Sequence, residues 1–158
     1  SGKQTGRTME IQRLIGRSLR SIIDLEALGE KTILIDCDVI EADGGTRTAS
    51  ITGGFVALHL AIKKKIDEGL LTKNPITDYV AALSCGVVNN EILIDLDFKE
   101  DAAAEVDANF VITKNSGFAE VQASGEENTF TSQILIDMLK HVEILSKKIF
   151  KLQEDVIG

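Results

Sequence analysis

Two short asparagine-bearing turns constrain this chain most. Residues 79–88 (YVAALSCGVV) and 91–97 (EILIDLD) are separated only by Asn89-Asn90, and residues 108–113 and 117–122 by a stretch holding Asn115-Ser116-Gly117. Asparagine and glycine tolerate positive φ, so each break reads as a hairpin turn between strands. Helices flank these hairpins. From Thr8 to Leu28 the apolar residues Ile11, Leu14, Ile15, Leu19, Ile22 and Ile23 keep helical spacing, with Gly29 at the C-cap position. A second helix is expected from about Thr48 to Gly69, with Ile51, Phe55, Leu58 and Ile62 on one side; Asn74-Pro75 breaks the chain beyond it. A third is expected from a cap at Thr131 or Ser132 to about Lys151. Between the first two helices, residues 32–40 (TILIDCDVI) alternate as a strand should. Residues 99–106 read as a polar, alanine-rich connection. The order is α-β-α-β-β-β-β-α, which places the chain in the α+β class, an antiparallel or mixed sheet packed against helices.

A length of 158 residues suits a single domain spanning 1–158 with its own core. Apolar residues at 44%, charged residues at 27% and a lone proline argue for a compact fold rather than a disordered one. No stretch approaches the roughly 20 apolar residues of a membrane helix, and no basic-then-apolar leader opens the chain, so a cytoplasmic protein is expected. Cys37 and Cys85 lie in apolar runs outside any ligand-like spacing and read as structural thiols.

The net charge of -8 argues against a polyanionic partner, but its distribution does not. Residues 1–20 hold Lys3, Arg7, Arg13, Arg17 and Arg20 against Glu10, a net +4, which leaves -12 for the remainder. Arg13, Arg17 and Arg20 share one helix face. Glu91, Asp95, Asp97, Glu100, Asp101, Glu105 and Asp107 crowd a short acidic stretch. A basic surface beside an acidic site follows.

Asp43-Gly44-Gly45-Thr46-Arg47-Thr48-Ala49-Ser50 brings a Gly-Gly turn, hydroxyls and a guanidinium to a helix start. Two readings are open: an oxyanion cradle of free amides, helix dipole and Arg47, or a plain turn whose Thr or Ser caps the helix. The spacing matches neither a Walker loop nor GxGxxG, so no nucleotide cofactor is indicated. Gly6-Arg7-Thr8 offers a second cation beside a helix start with Thr8 as a cap, and it reads either as another arm for the same anion or as surface charge. Asp101 and Asp107 either belong to a solvated acidic connection or hold a hard divalent ion such as magnesium. Six residues apart, they are about 240° out of phase on a helix, and they converge only where helix gives way to strand. Asp36 and Asp38 read as polar-face residues of one strand. His59 and His141 have no nucleophile partner pattern and read as structural or exposed.

The segments Gly6–Ile15, Asp36–Ile40, Ala42–Ala49, Asn74-Pro75, Asp95-Leu96-Asp97, Glu100–Asp107 and Glu120-Val121-Gln122, in that order, resemble the bacterial ribonuclease PH family over essentially the whole chain. The resemblance implies a ribosomal S5 domain 2-like fold and a phosphate-dependent 3′-exoribonuclease. Such an enzyme trims tRNA precursor 3′ ends, releases nucleoside diphosphates and can run in reverse. It further implies a phosphate site at Arg7, Gly45, Thr46 and Arg47, and a catalytic pair, Asp101 and Asp107, that also binds Mg2+. RNA contacts from Arg13, Arg17 and Arg20 and assembly into a hexameric ring of dimers complete the expectation. Inorganic phosphate is then the co-substrate. Family members carry a substantial segment before Gly6-Arg7, so the fold is expected to be incomplete, with the first helix's apolar face exposed and a separate N-terminal piece as a possible partner. Rival readings are a noncatalytic RNA-binding ring subunit and an assembly fragment inactive alone. Ala123-Ser124-Gly125-Glu126 departs mildly from the family pattern.

Overall fold

The computed structural model describes residues 5–158; Lys3, counted in the basic segment, lies outside them. Helix α1 runs Gly6–Arg20, a single turn α2 spans Leu25–Leu28, and α3 spans Thr46–Asp67. Strands β1 (Val80–Val88) and β2 (Glu91–Ile94) precede a short helix α4 (Phe98–Ala103), and β3 (Val106–Thr113), β4 (Gly117–Gly125) and α5 (Ser132–Ile157) complete the chain. The sheet is fully antiparallel in the order β2-β1-β3-β4. Both hairpins form where expected, with Asn89 and Asn90 at φ 51° and 64° and Gly117 at 100°.

The sheet lies between helices because its strands are apolar on both faces. Val80, Ala82 and Val111 pack with Leu14, Leu19, Ile51, Phe55 and Leu58 of α1 and α3. The alternate residues Ala81, Leu83, Cys85, Ala108 and Phe110 pack with Met138, Val142 and Phe150 of α5. Gln153 fastens the layers, its Nε2 donating to the carbonyls of Thr52 and Val80. Burial beside the charge of Asp107 pushes the Cys85 thiol up to about 12, which keeps it an inert core group. Among the described residues no helix is long and apolar enough to cross a membrane.

Four elements differ from the sequence expectation. The first helix stops at Arg20 instead of reaching Leu28, because non-local bonds capture the backbone: Asp24 N–H donates to Pro75, Thr77 N–H donates to Ile22, and Asp24 caps the new turn α2. Residues 32–40 keep their alternation, with Ile33, Ile35 and Cys37 half-buried and Leu34 91% exposed, yet they form no strand. Among the described residues no neighbouring backbone pairs with them, and a strand exists only through its ladder. The connection at 99–106 contains α4, closed by a capping box between Asp97 and Glu100. Finally, β2 ends at Ile94 because Asp95 turns to φ 63°. The apolar face of α1 is partly covered: Leu14, Leu19 and Ile22 are buried, whereas Ile11 and Ile15 line an open 610 Å³ groove between α1, α3 and residues 33–39.

Candidate active site

At one end of the α3 face the sheet turns polar. Ser84 and Gly86 on β1 stand opposite Asn109 and Asp107 on β3. The N-terminus of α3 points toward this patch, and α4 closes it from the side. Together they enclose a cavity of about 200 Å³ whose lining includes Arg7, Gly45, Thr46, Arg47, Asp101 and Asp107. The residues expected to bind phosphate and those expected to act as the acidic pair therefore meet in one place.

The turn before α3 explains the cradle. Gly45 is the N-cap at φ 65°, a left-handed conformation that favours glycine, and the helix has no side-chain cap. Thr48 and Ser50 instead donate their hydroxyls to the carbonyls of Gly45 and Thr46. Of the two readings of this turn, capping by Thr or Ser is thus excluded. The first helical bond is made by Ala49 N–H, so among the described residues the amides of Thr46, Arg47 and Thr48 donate to no protein acceptor. Free amides at the positive end of a long helix, with a guanidinium beside them, are the parts of an anion cradle. Arg7 reaches the same cavity from the first turn of α1. The cap of α1 is Thr5, which accepts from Thr8 N–H; Thr8 itself is not the cap.

Asp101 sits on α4 and Asp107 on β3, so the change from helix to strand at Ala104-Glu105 brings them to one cavity wall. Three other members of the acidic stretch are occupied elsewhere, whereas Asp95 Oδ1 lies beside the Gly45 turn, 3.4 Å from where a Cβ there would stand. Asp97 and Glu100 cap α4, and Glu105 accepts from Asn90 N–H. Burial raises the Asp107 carboxyl above its ordinary range, and the charges of Asp101 and Glu126 add to this against the lowering pull of Arg47. Among the described residues no three His, Cys, Asp or Glu side chains gather closely enough to cage a metal. A pair of carboxylates in mutual repulsion suits an ion that keeps much of its water, as magnesium does.

Asp43 links the two halves. Its Oδ1 accepts from Phe98 N–H at 3.0 Å, tying the Gly-Gly turn to the start of α4. Gly44 lies so close to the carbonyl of Leu96 that a Cβ there would fall 2.0 Å from the oxygen. Ser84 and Asn109 also line the cavity, and sequence reasoning passed over both. The available signal was a polar residue at alternate positions, Asp107 and Asn109, within an apolar strand. Away from the cavity, Arg17 makes a two-pronged ion pair with Glu120, its Nη2 2.6 Å and its Nε 3.0 Å from the carboxylate oxygens. Arg13 and Arg20 are exposed. His59 packs against Phe55 and Tyr79, and His141 bonds its own helix, as structural histidines do.

Family models agree with this architecture in both halves. The model for the 3′ exoribonuclease family, domain 1, matches residues 1–64, and that for domain 2 matches residues 78–141. The chain belongs to the 3′ exoribonuclease family. Within it, the chain is 56% identical to ribonuclease PH of Bacillus pumilus (strain SAFR-032), covering 99% of this chain and 65% of the relative. It is 54% identical to ribonuclease PH of Caulobacter vibrioides (strain NA1000 / CB15N), covering 100% of this chain and 66% of the relative. The chain thus spans just under two thirds of the length of these relatives. Among solved structures, rice (Oryza sativa) Rrp46 superposes with a TM-score of 0.78 at 18% identity, over 99% of this chain and 68% of that one. The Archaeoglobus fulgidus exosome with RNA bound to the active site gives 0.67 at 17% identity, over 95% of this chain and 63% of that one. These two likenesses bear on the fold.

Proposed function

We propose that the chain carries the active site of a phosphate-dependent 3′-exoribonuclease that trims tRNA precursor 3′ ends. The observation that carries this reading is the single cavity shared by Arg7, Thr46, Arg47, Asp101 and Asp107. A hydrolytic site would need only to orient water. A cationic cradle beside an acidic pair suits a reaction in which one phosphate attacks another.

Inorganic phosphate rests on the free amides of Thr46, Arg47 and Thr48, held by the Arg47 fork and Arg7. One of its oxygens attacks the terminal phosphodiester phosphorus in line, and the bond from that phosphorus to the preceding 3′-oxygen breaks. The departing oxygen takes a proton, for which the Asp101 and Asp107 carboxyls of the cavity are the candidates. The products are a nucleoside diphosphate and an RNA one nucleotide shorter. Asp101 and Asp107 would hold Mg2+, which when bound offsets negative charge on the reacting phosphates. Arg13 and Arg20, with Arg17 once Glu120 releases it, contact the RNA backbone. The active assembly is a hexameric ring of dimers, and residues 1–158 form one ribonuclease PH-like unit of it.

Kinetics on a 3′-extended tRNA separate the roles. Arg47→Ala should raise the phosphate requirement at least about tenfold, as the loss of a charge-assisted bond does. Asp107→Asn should lower turnover about 10²-fold or more while leaving RNA binding within twofold. Unchanged phosphate dependence in the first variant, or full turnover in the second, would remove that residue from the mechanism.

A further inference from the structure

Beyond the cationic cradle, the cavity has a floor made by the sheet. Asn109 is 8% exposed and Ser84 5%, and they stand directly opposite each other on β3 and β1. Both line the cavity with Arg47 and Asp107. Ser84 Oγ accepts from Leu96 N–H at 3.2 Å and stands beside the helix start, 3.9 Å from where a Cβ on Gly45 would lie, with Asp95 Oδ1 3.4 Å from the same point. Asn109 shares the strand face of Asp107, two residues on. Among the described residues its side-chain amide makes no hydrogen bond, although its surroundings are nine-tenths closed. Its donors open on the cavity and are free to meet an acceptor that enters it.

We propose that Asn109 is a substrate-contacting residue, whose side-chain NH2, with the Ser84 hydroxyl beside it, donates to an oxygen of the bound inorganic phosphate from the sheet side. The inference rests on the phosphate-site reading and adds neutral donors to it. The cradle supplies positive charge from α3 and α1, and Asp107 repels the anion from the other side. An uncharged donor between them fixes the orientation of the phosphate without adding a cation that would pair with Asp107 and block the acidic wall. A neutral amide cannot be neutralised by its neighbours, so its contribution should persist whatever the protonation of the acidic pair.

The test uses 1H–15N spectra of the chain titrated with inorganic phosphate. The side-chain NH2 pair of Asn109, assigned by its loss in Asn109→Leu, should shift together with the backbone amides of Thr46, Arg47 and Thr48 and saturate at the same concentration. By calorimetry, Asn109→Leu should bind phosphate about tenfold more weakly, the loss of one hydrogen bond to a charged group. Its melting temperature should change little, because no hydrogen bond within the protein is lost. A merely structural role would lower stability and leave the affinity of the folded protein alone. If the Thr46–Thr48 amides shift while Asn109 stays still, or if Asn109→Leu binds within twofold, the proposal falls and the phosphate site stands. If neither group shifts, the phosphate-site reading falls and takes the proposal with it. Should Asn109→Leu fail to fold, the spectra of the unsubstituted chain, with the pair assigned through the backbone, decide the matter.

Discussion

Gly44→Ala should uncouple the two halves of the candidate active site. A Cβ at Gly44 would lie 2.0 Å from the Leu96 carbonyl oxygen and 3.1 Å from its carbon. Contacts below 3.0 Å are essentially never seen for a real Cβ, so the backbones must part by about 1 Å at the oxygen. Both partners are main chain, and no side-chain rotation can absorb the strain. The turn at 43–45 carries the α3 amides, and the segment at 95–98 carries α4 and Asp101, so the movement separates cradle from carboxylate. A misplacement of about 1 Å can cost on the order of 10²-fold in rate, and forced overpacking typically costs ~1–3 kcal/mol of stability. Turnover on a 3′-extended tRNA and thermal unfolding measure the two effects. Gly53→Ala is the control, because this exposed mid-helix glycine has nothing within 4 Å of the added methyl and should gain ~0.5–1 kcal/mol at unchanged turnover. Wild-type turnover and melting temperature in Gly44→Ala would refute the coupling.

Two further outcomes follow from the charge arrangement. Burial, aided by Lys63, holds His59 below its ordinary value of 6.5, and its Nδ1 is buried without a partner. As pH falls through 6.5 the unfolded chain takes up the proton first, so the stability present above that pH is lost toward acid. Melting temperatures at pH 7.5 and 5.5 should fall less in His59→Gln than in the unsubstituted chain, and parallel falls would exclude His59. Glu120→Gln should release Arg17 from its two-pronged pair, tighten RNA binding at low salt and steepen the salt dependence. Unchanged binding would mean that Arg17 does not meet RNA.

Local periodicity and turn chemistry carried much of the fold. The Asn89-Asn90 and Asn115–Gly117 turns, the α3 and α5 stripes and the Gly44-Gly45 break were readable because each depends on neighbours in sequence. Errors arose where distant backbone decided the outcome. Residues 32–40 have a strand's alternation but no partner among the described residues. The end of α1 was set by hydrogen bonds from the 75–77 segment, which no helical period records. The capping box of α4 was local and legible, since Asp97 and Glu100 stand at the required spacing; the alanines after it concealed the signal. In the site, Arg7, Thr46, Arg47, Asp101 and Asp107 were reached by motif and resemblance. Their convergence, and the presence of Ser84 and Asn109 beside them, depend on the register of β1 against β3, which becomes visible only when the strands are paired.

The most direct measurement of the central claim follows labelled inorganic phosphate through the reaction. The chain is incubated with Mg2+, 32P-phosphate and a 3′-extended tRNA, and the released nucleotides are separated. Phosphate attack predicts label in the β-phosphate of nucleoside diphosphates, appearing in step with RNA shortening and lost in Arg47→Ala. Shortening that releases unlabelled nucleoside monophosphates would contradict it, because water rather than phosphate would then be the nucleophile.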